Sequence, residues 1–148
     1  MSDLLNELRS IDPKKIKNSL FDNLITKAYC YAVIDTDTIK CIFKYKNEPV
    51  KIICRLDNID SPEKKSQIQA DRDLCLKGTN FVKDLILNKL VTLNISKTDK
   101  YGRFLCIVNI DGSNNSINDA LISGGLVREY HGGTKTLFEY NDSGMINN

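Results

Sequence analysis

Val50-Lys51-Ile52-Ile53-Cys54-Arg55-Leu56-Asp57-Asn58-Ile59-Asp60-Ser61-Pro62-Glu63 decides how this chain is read. An apolar, β-prone run (Val50, Ile52, Ile53, Leu56) leads straight into a base and several acids. Pro62 cannot donate to a sheet ladder and fixes its own backbone, so the strand ends before it. Arg55 and Glu63 therefore flank one strand exit, with Asp60 between them. A fixed cation and two carboxylates on a rigid exit suit phosphodiester chemistry. Taken alone, the segment reads equally well as a solvated turn after a barrel strand.

Outward from that strand the pattern stays β on the upstream side. Residues 29–34, 38–45 and 50–56 read as three consecutive strands rich in β-branched and aromatic residues. Their turns are Asp35-Thr36-Asp37 and Lys46-Asn47-Glu48-Pro49. Downstream, Leu74, Gly78, Phe81, Val82, Leu85 and Ile86 share one helical face. Gly78 within that face costs about 1 kcal/mol against alanine, so close packing on a strand is expected there. Residues 90–96 and 104–110 follow as a fourth and a fifth strand, joined by the polar loop 97–103. Ser116-Ile117-Asn118-Asp119 resembles a capping box opening a short helix, stopped by Gly124-Gly125. Three strands, a helix, two strands and a helix predict an α+β, mainly β, fold. The expected architecture is a five-stranded oligonucleotide/oligosaccharide-binding (OB) barrel with flanking helices.

Ahead of the barrel, residues 1–26 read as an N-terminal helical extension. Leu4, Leu5 and Leu8 share one face, Asp12-Pro13 opens a second helix, and Ile16, Leu20, Phe21 and Leu24 continue it. Such helices pack on a domain's flank or bind a partner. Residues 27–139 form the barrel domain, and 140–148 a polar tail expected to fray.

The 148 residues fit one such domain, and 41% apolar with 27% charged residues is ordinary globular composition. A net charge of +2 argues for no polyanion partner by itself, so any nucleic-acid site must concentrate its charge locally. The five cysteines form no CxxC pair and read as small buried hydrophobes, which implies a reducing, intracellular compartment. The start of the chain lacks a basic-then-apolar leader, and the apolar runs are too short to span a bilayer. No membrane association is expected.

Three clusters, each at a strand end, can converge on one barrel face. They are Asp35-Thr36-Asp37-Thr38, Arg55 to Glu63, and Thr98-Asp99-Lys100-Tyr101-Gly102-Arg103. Together with Ile117-Asn118-Asp119-Ala120-Leu121-Ile122 and Gly125-Leu126-Val127, in that order, the chain resembles the staphylococcal nuclease-like (thermonuclease) family. The resemblance covers roughly residues 29–135.

The resemblance implies a calcium-dependent phosphodiesterase acting on DNA and RNA and leaving 3′-phosphate ends. Single strands are the preferred partner, and a monomer is expected. It places Ca²⁺ on Asp37, Asp60 and the carbonyl of Ser61. Arg55 and Arg103 would bind phosphate, and Glu63 would be the general base. Lys100 and Tyr101 would lie beside a terminal phosphate, and Tyr130 would contact the nucleotide. Oxygen ligands suit a hard cation, and guanidinium forks grip phosphate where an ammonium cannot. Thr36 stands where the family often has glycine, and Ser61 where it usually has threonine. The Tyr130 to Lys135 ending resembles versions in large DNA viruses and other intracellular members, which makes host cytoplasm one expected setting. His131 is expected to stabilise a turn. Read residue by residue, the acids could instead cap turns and the arginines pack on a flank. The alternative function is a non-catalytic OB-fold module that holds single-stranded nucleic acid.

Overall fold

The computed structural model describes residues 2–16 and 19–148. Five strands close a barrel: β1 (Ile25–Asp35), β2 (Thr38–Tyr45), β3 (Glu48–Leu56), β5 (Leu90–Thr98) and β6 (Phe104–Ile110). Their order around the barrel is β1-β2-β3-β6-β5, with β5 returning to β1. All neighbours are antiparallel except β3 and β6, which run parallel. This is the OB-type architecture expected from the pattern of elements. Period-two alternation puts Cys41, Phe43, Ile52, Cys54, Leu93, Ile95, Cys106 and Val108 inside, where they are buried together. The five cysteines are free, buried thiols, four in barrel strands and Cys75 on a helix.

Two strands absent from the sequence reading and a tail it expected to fray shape the site. Two short strands, β4 (Ile59–Asp60) and β7 (Arg128–Glu129), pair antiparallel outside the barrel, with Asp60 opposite Arg128. The tail, residues 140–148, departs from its expectation. It does not fray: Ile146 is buried and its amide donates to Gly125 O at 2.8 Å, while Asn148 Nδ2 donates to Ile122 O and Val127 O at 3.0 and 2.9 Å. The Asn148 side chain thus replaces solvent for carbonyls in the last turn of α3 (Ile117–Ser123) and in the segment after it.

The N-terminal reading is partly revised. Helix α1 (Ser2–Arg9) forms, but Leu4, Leu5 and Leu8 stay about half exposed instead of packing on the barrel. Asp12 caps only a single helical turn, Pro13–Lys15. Lys17 and Asn18 lie outside the described residues, and residues 19–23 turn rather than continue a helix. Phe21 and Leu24 serve the core directly. Phe21 meets Phe43 and Tyr45 edge-on, both at 5.2 Å between ring centroids, and so closes the barrel's end.

Helix α2 (Gln69–Ile86) packs on β1, and its Gly78 faces the β1–β2 turn. A Cβ at Gly78 would lie 2.6 Å from Cγ2 of Thr36, a fully buried residue in the β1–β2 turn. Thr36 Oγ1 donates to Cys75 O at 3.1 Å and so ties that turn to the helix. Gly78→Ala should therefore lower stability by about 1–3 kcal/mol through overpacking, despite alanine's better helix propensity. Thermal melting should show Thr36→Ala recovering part of that loss in the double variant.

Candidate functional site

Each cluster is held by local chemistry. In the β1–β2 turn, Thr38 Oγ1 donates to Asp37 Oδ1 at 2.9 Å, and the Asp37 amide donates to Asp35 Oδ1 at 3.3 Å. Arg55, the outward residue opposite Thr38, sets its Nε 3.5 Å from Asp37 Oδ2. Its Nη1 donates to the carbonyls of Leu56 and, at 3.0 Å, Ile59. The guanidinium thus staples the turn after β3.

Asn118, almost wholly buried on α3, holds the same turn from behind. It donates to Asp57 O and Cys106 O at 2.9 and 3.0 Å and accepts from Val108 N at 3.0 Å.

The loop 99–103 is organised by Asp99. Its carboxylate accepts from the amides of Tyr101 and Arg103 at 2.9 and 3.0 Å and from Arg103 Nε at 2.9 Å. Burial works to raise the Asp99 pKa, but these amides and the guanidinium hold it below the usual carboxylate range. Gly102, at φ 81°, supplies the left-handed residue the turn requires. With Nε anchored, the two terminal nitrogens of Arg103 have no hydrogen-bond partner among the described residues.

Two adjoining cavities share Arg103. One, of about 310 Å³, is lined by Asp35, Asp37, Thr38, Ser61, Pro62, Glu63, Lys64, Lys65 and Arg103. The other, of about 460 Å³, takes in Arg55, Asp57, Lys97, Asp99, Arg103, Tyr130 and His131. The first is a carboxylate cradle. Burial, and then the neighbouring Asp37, push the Asp35 carboxyl up to about 6. For Asp37 burial pulls upward, but Arg55 and hydrogen bonds from Asp35, Thr38 and Ser61 hold it low. The crowding of two carboxyls into one buried turn is what a bound cation would relieve.

Among the described residues no three His, Cys, Asp or Glu side chains converge on one point. The donor set is two carboxylates with Ser61 and Glu63 beside them. All are hard oxygens, which fits a cation that also takes carbonyl and water ligands.

The site residues expected from the sequence are thus placed unevenly. Asp37, Ser61, Glu63 and Arg103 share the cradle, and Arg55, Arg103 and Tyr130 share the second cavity. Asp60 lines neither. Its Oδ2 accepts from Arg128 at 2.8 and 3.1 Å, and its Oδ1 accepts from Lys135 at 3.1 Å. Lys100 and Tyr101 also stand outside both: Lys100 Nζ lies 5.2 Å and the Arg103 guanidinium 5.5 Å from the Tyr101 ring, which is largely exposed. Tyr130 donates to Gly133 O at 2.6 Å, closing a glycine-rich loop. His131 faces the second cavity and pairs with Glu129 at 3.0 Å.

The family model described as staphylococcal nuclease homologue matches residues 53–143. The chain belongs to that family. The matched span of the staphylococcal nuclease homologue takes in Arg55, Glu63 and Arg103, and the Asp35–Thr38 turn lies ahead of it. Endonuclease YncB of Bacillus subtilis (strain 168) is 32% identical over 98 residues, 64% of this chain and 44% of its own length. An uncharacterized endonuclease of Escherichia coli O157:H7 is 32% identical over 99 residues, covering 66% of this chain and 57% of its own. The chain spans about half the length of the curated relatives it matches.

Arg128, Lys135 and Lys97 were not singled out by the sequence. Arg128 lies 68 positions from Asp60, in a two-residue strand with no periodicity to mark it.

Proposed function

We propose that this staphylococcal nuclease homologue is a calcium-dependent endonuclease that hydrolyses DNA and RNA, with single strands preferred, and leaves 3′-phosphate ends. The observation that carries this reading is the position of Arg103. Its terminal nitrogens, with no hydrogen-bond partner among the described residues, stand between an oxygen-lined cradle and a cavity of about 460 Å³ that also holds Arg55 and Lys97. Belonging to a family whose relatives bear the name endonuclease supports it.

In this reading the scissile phosphate lies at the junction of the two cavities. A bound Ca²⁺ would be held by Asp37 and the Ser61 carbonyl, with Asp35 and Asp60 adjacent, and would draw negative charge from a phosphate oxygen. Arg103 offers a two-pronged fork, and Arg55 offers its one remaining NH₂. Both oppose the charge that builds on the equatorial oxygens as water attacks. Glu63, exposed at the cradle's rim, accepts the proton of that water. Tyr130 and His131 form the far wall, where a base or sugar would rest. Lys100 and Tyr101 stand at the edge, within reach of a neighbouring phosphate.

The test is cleavage of labelled single-stranded DNA and RNA with Ca²⁺ or with a chelator. The wild type should cut only with the metal, and Glu63→Gln should slow cutting by about 10²–10⁴-fold while melting normally. Equal rates in chelator would remove the metal from the mechanism, and an unchanged Glu63→Gln rate would remove the base.

A further inference from the structure

The segment that carries Glu63 is tied down through one residue. From Glu63 to Gln69 every residue is exposed except Ser66, which is half-buried. Ile68, the segment's one large apolar residue, is itself 43% exposed, so packing does not hold the segment. Ser66 does. Its amide donates to Glu63 O at 3.2 Å and closes a turn around Lys64 and Lys65. Its Oγ accepts from the Ile68 amide at 3.1 Å and donates to Asp71 Oδ2 at 2.7 Å. Its carbonyl accepts from Arg72 Nη1.

Asp71 is the fixed end of this chain of bonds. It stands in the first turn of α2 and is 8% exposed. A buried carboxylate must be hydrogen-bonded, and two hydroxyls meet it, one on each oxygen. Ser66 takes Oδ2, and Tyr140 Oη donates to Oδ1. Burial, and then Asp71 itself, raise the Tyr140 pKa, so the hydroxyl remains a donor across the neutral range. A helix cap would be reason enough for an acid at this position, but a cap binds backbone amides. Asp71 binds two side chains, and Ile68, at the N-cap, makes no side-chain cap bond. Tyr140 comes from the docked tail, 69 positions away, where it bridges Ile146 and packs on the core. Tail hydroxyl, buried carboxylate, Ser66 and Glu63 thus form one line, and neither Asp71 nor Tyr140 lines the cradle.

We propose that Asp71 is a positioning residue. Through Ser66 it sets where Glu63 stands at the cradle's rim, and Tyr140 makes the C-terminal tail part of that support. The role rests on the reading of Glu63 as general base, because a proton acceptor works only within hydrogen-bond reach of the attacking water. A hydrogen-bonded tether fixes the segment without covering the rim that substrate must reach.

Two measurements test it. In chelator, limited trypsin cleavage after Lys64 and Lys65 reads the tether with no nuclease reaction involved. Both bonds should be cut about 10-fold faster in Ser66→Ala and in Tyr140→Phe than in the wild type. Ser66→Thr, which keeps the hydroxyl, should restore the slow rate. With Ca²⁺ and a single-stranded DNA oligonucleotide, Ser66→Ala and Tyr140→Phe should each lose about 10- to 100-fold in kcat at unchanged KM. The same changes on the Glu63→Gln background should cost nothing further, since they act through that carboxylate. Wild-type nicking and kcat in both variants would overturn the proposal. So would an equal kcat loss on the Glu63→Gln background, which a general structural role produces and a positioning role does not. If no protein, wild type included, cuts the oligonucleotide, the nuclease reading is what fails, and the nicking rates still decide whether Asp71 holds the segment.

Discussion

Arg103→Lys should lose about 10²–10³-fold in kcat while melting at the wild-type temperature. The reason lies in how the guanidinium is divided. Nε is consumed by Asp99, and the terminal nitrogens have no hydrogen-bond partner among the described residues. Asp99 aims the group through Nε, and its terminal end is left to meet a ligand. Lysine keeps the charge but not the fork, so it loses the two-point grip on a trigonal-bipyramidal phosphate. Arg55 differs. Its Nη1 satisfies the carbonyls of Leu56 and Ile59, and its Nε meets Asp37. Arg55→Lys should therefore cost both rate and about 1–3 kcal/mol of stability, because buried carbonyls lose their donor. Single-turnover rates beside thermal melts separate the two. Equal melting temperatures with equal rate losses would show that the arginines are interchangeable and the division of roles is wrong.

The barrel was legible because its signals are local. Period-two apolar runs, the Asp35–Asp37 turn and the Ser116 cap each act within a few residues, and all three are present in the fold. Even Gly78 announced a close approach, and Thr36 is what it approaches. What escaped was determined at long range. The docked tail depends on Asn148 meeting Ile122 and Val127, contacts that no periodicity encodes. The exposed leucines of α1 satisfy helical spacing perfectly, yet spacing alone does not supply a surface to bury them. The cavities show the same split. Arg55, Glu63 and Arg103 were readable as types at strand ends, whereas the partners of Asp60 depend on β4 meeting β7.

Arg128→Met should destabilise the protein by about 3 kcal/mol. Asp60 is 5% exposed, and Arg128 is its main counter-charge, held in turn by Thr136 Oγ1 and O and stacked 4.1 Å from the Phe138 ring centroid. Without it a buried carboxylate keeps only Lys135, whose side chain is about half exposed and screened by solvent. Most of the loss is then the cost of stranding Asp60, so Asp60→Asn in the same background should restore most of the stability. That double variant also isolates a question the geometry raises. If Asp60 serves only the Arg128–Lys135 clamp, the refolded double variant should bind Ca²⁺ by calorimetry as the wild type does. If Asp60 also completes the cradle, as the family resemblance implies, Ca²⁺ affinity should drop by an order of magnitude or more while the melting temperature recovers. The second result is the expected one. A carboxylate has about four lone-pair sites, and Arg128 and Lys135 occupy only part of them. Ser61, the next residue, already reaches Asp37. On this view the clamp is what fixes a ligand's carboxylate at the cradle's edge before any cation arrives, and wild-type Ca²⁺ affinity in the double variant would leave the cation to Asp35, Asp37 and Glu63.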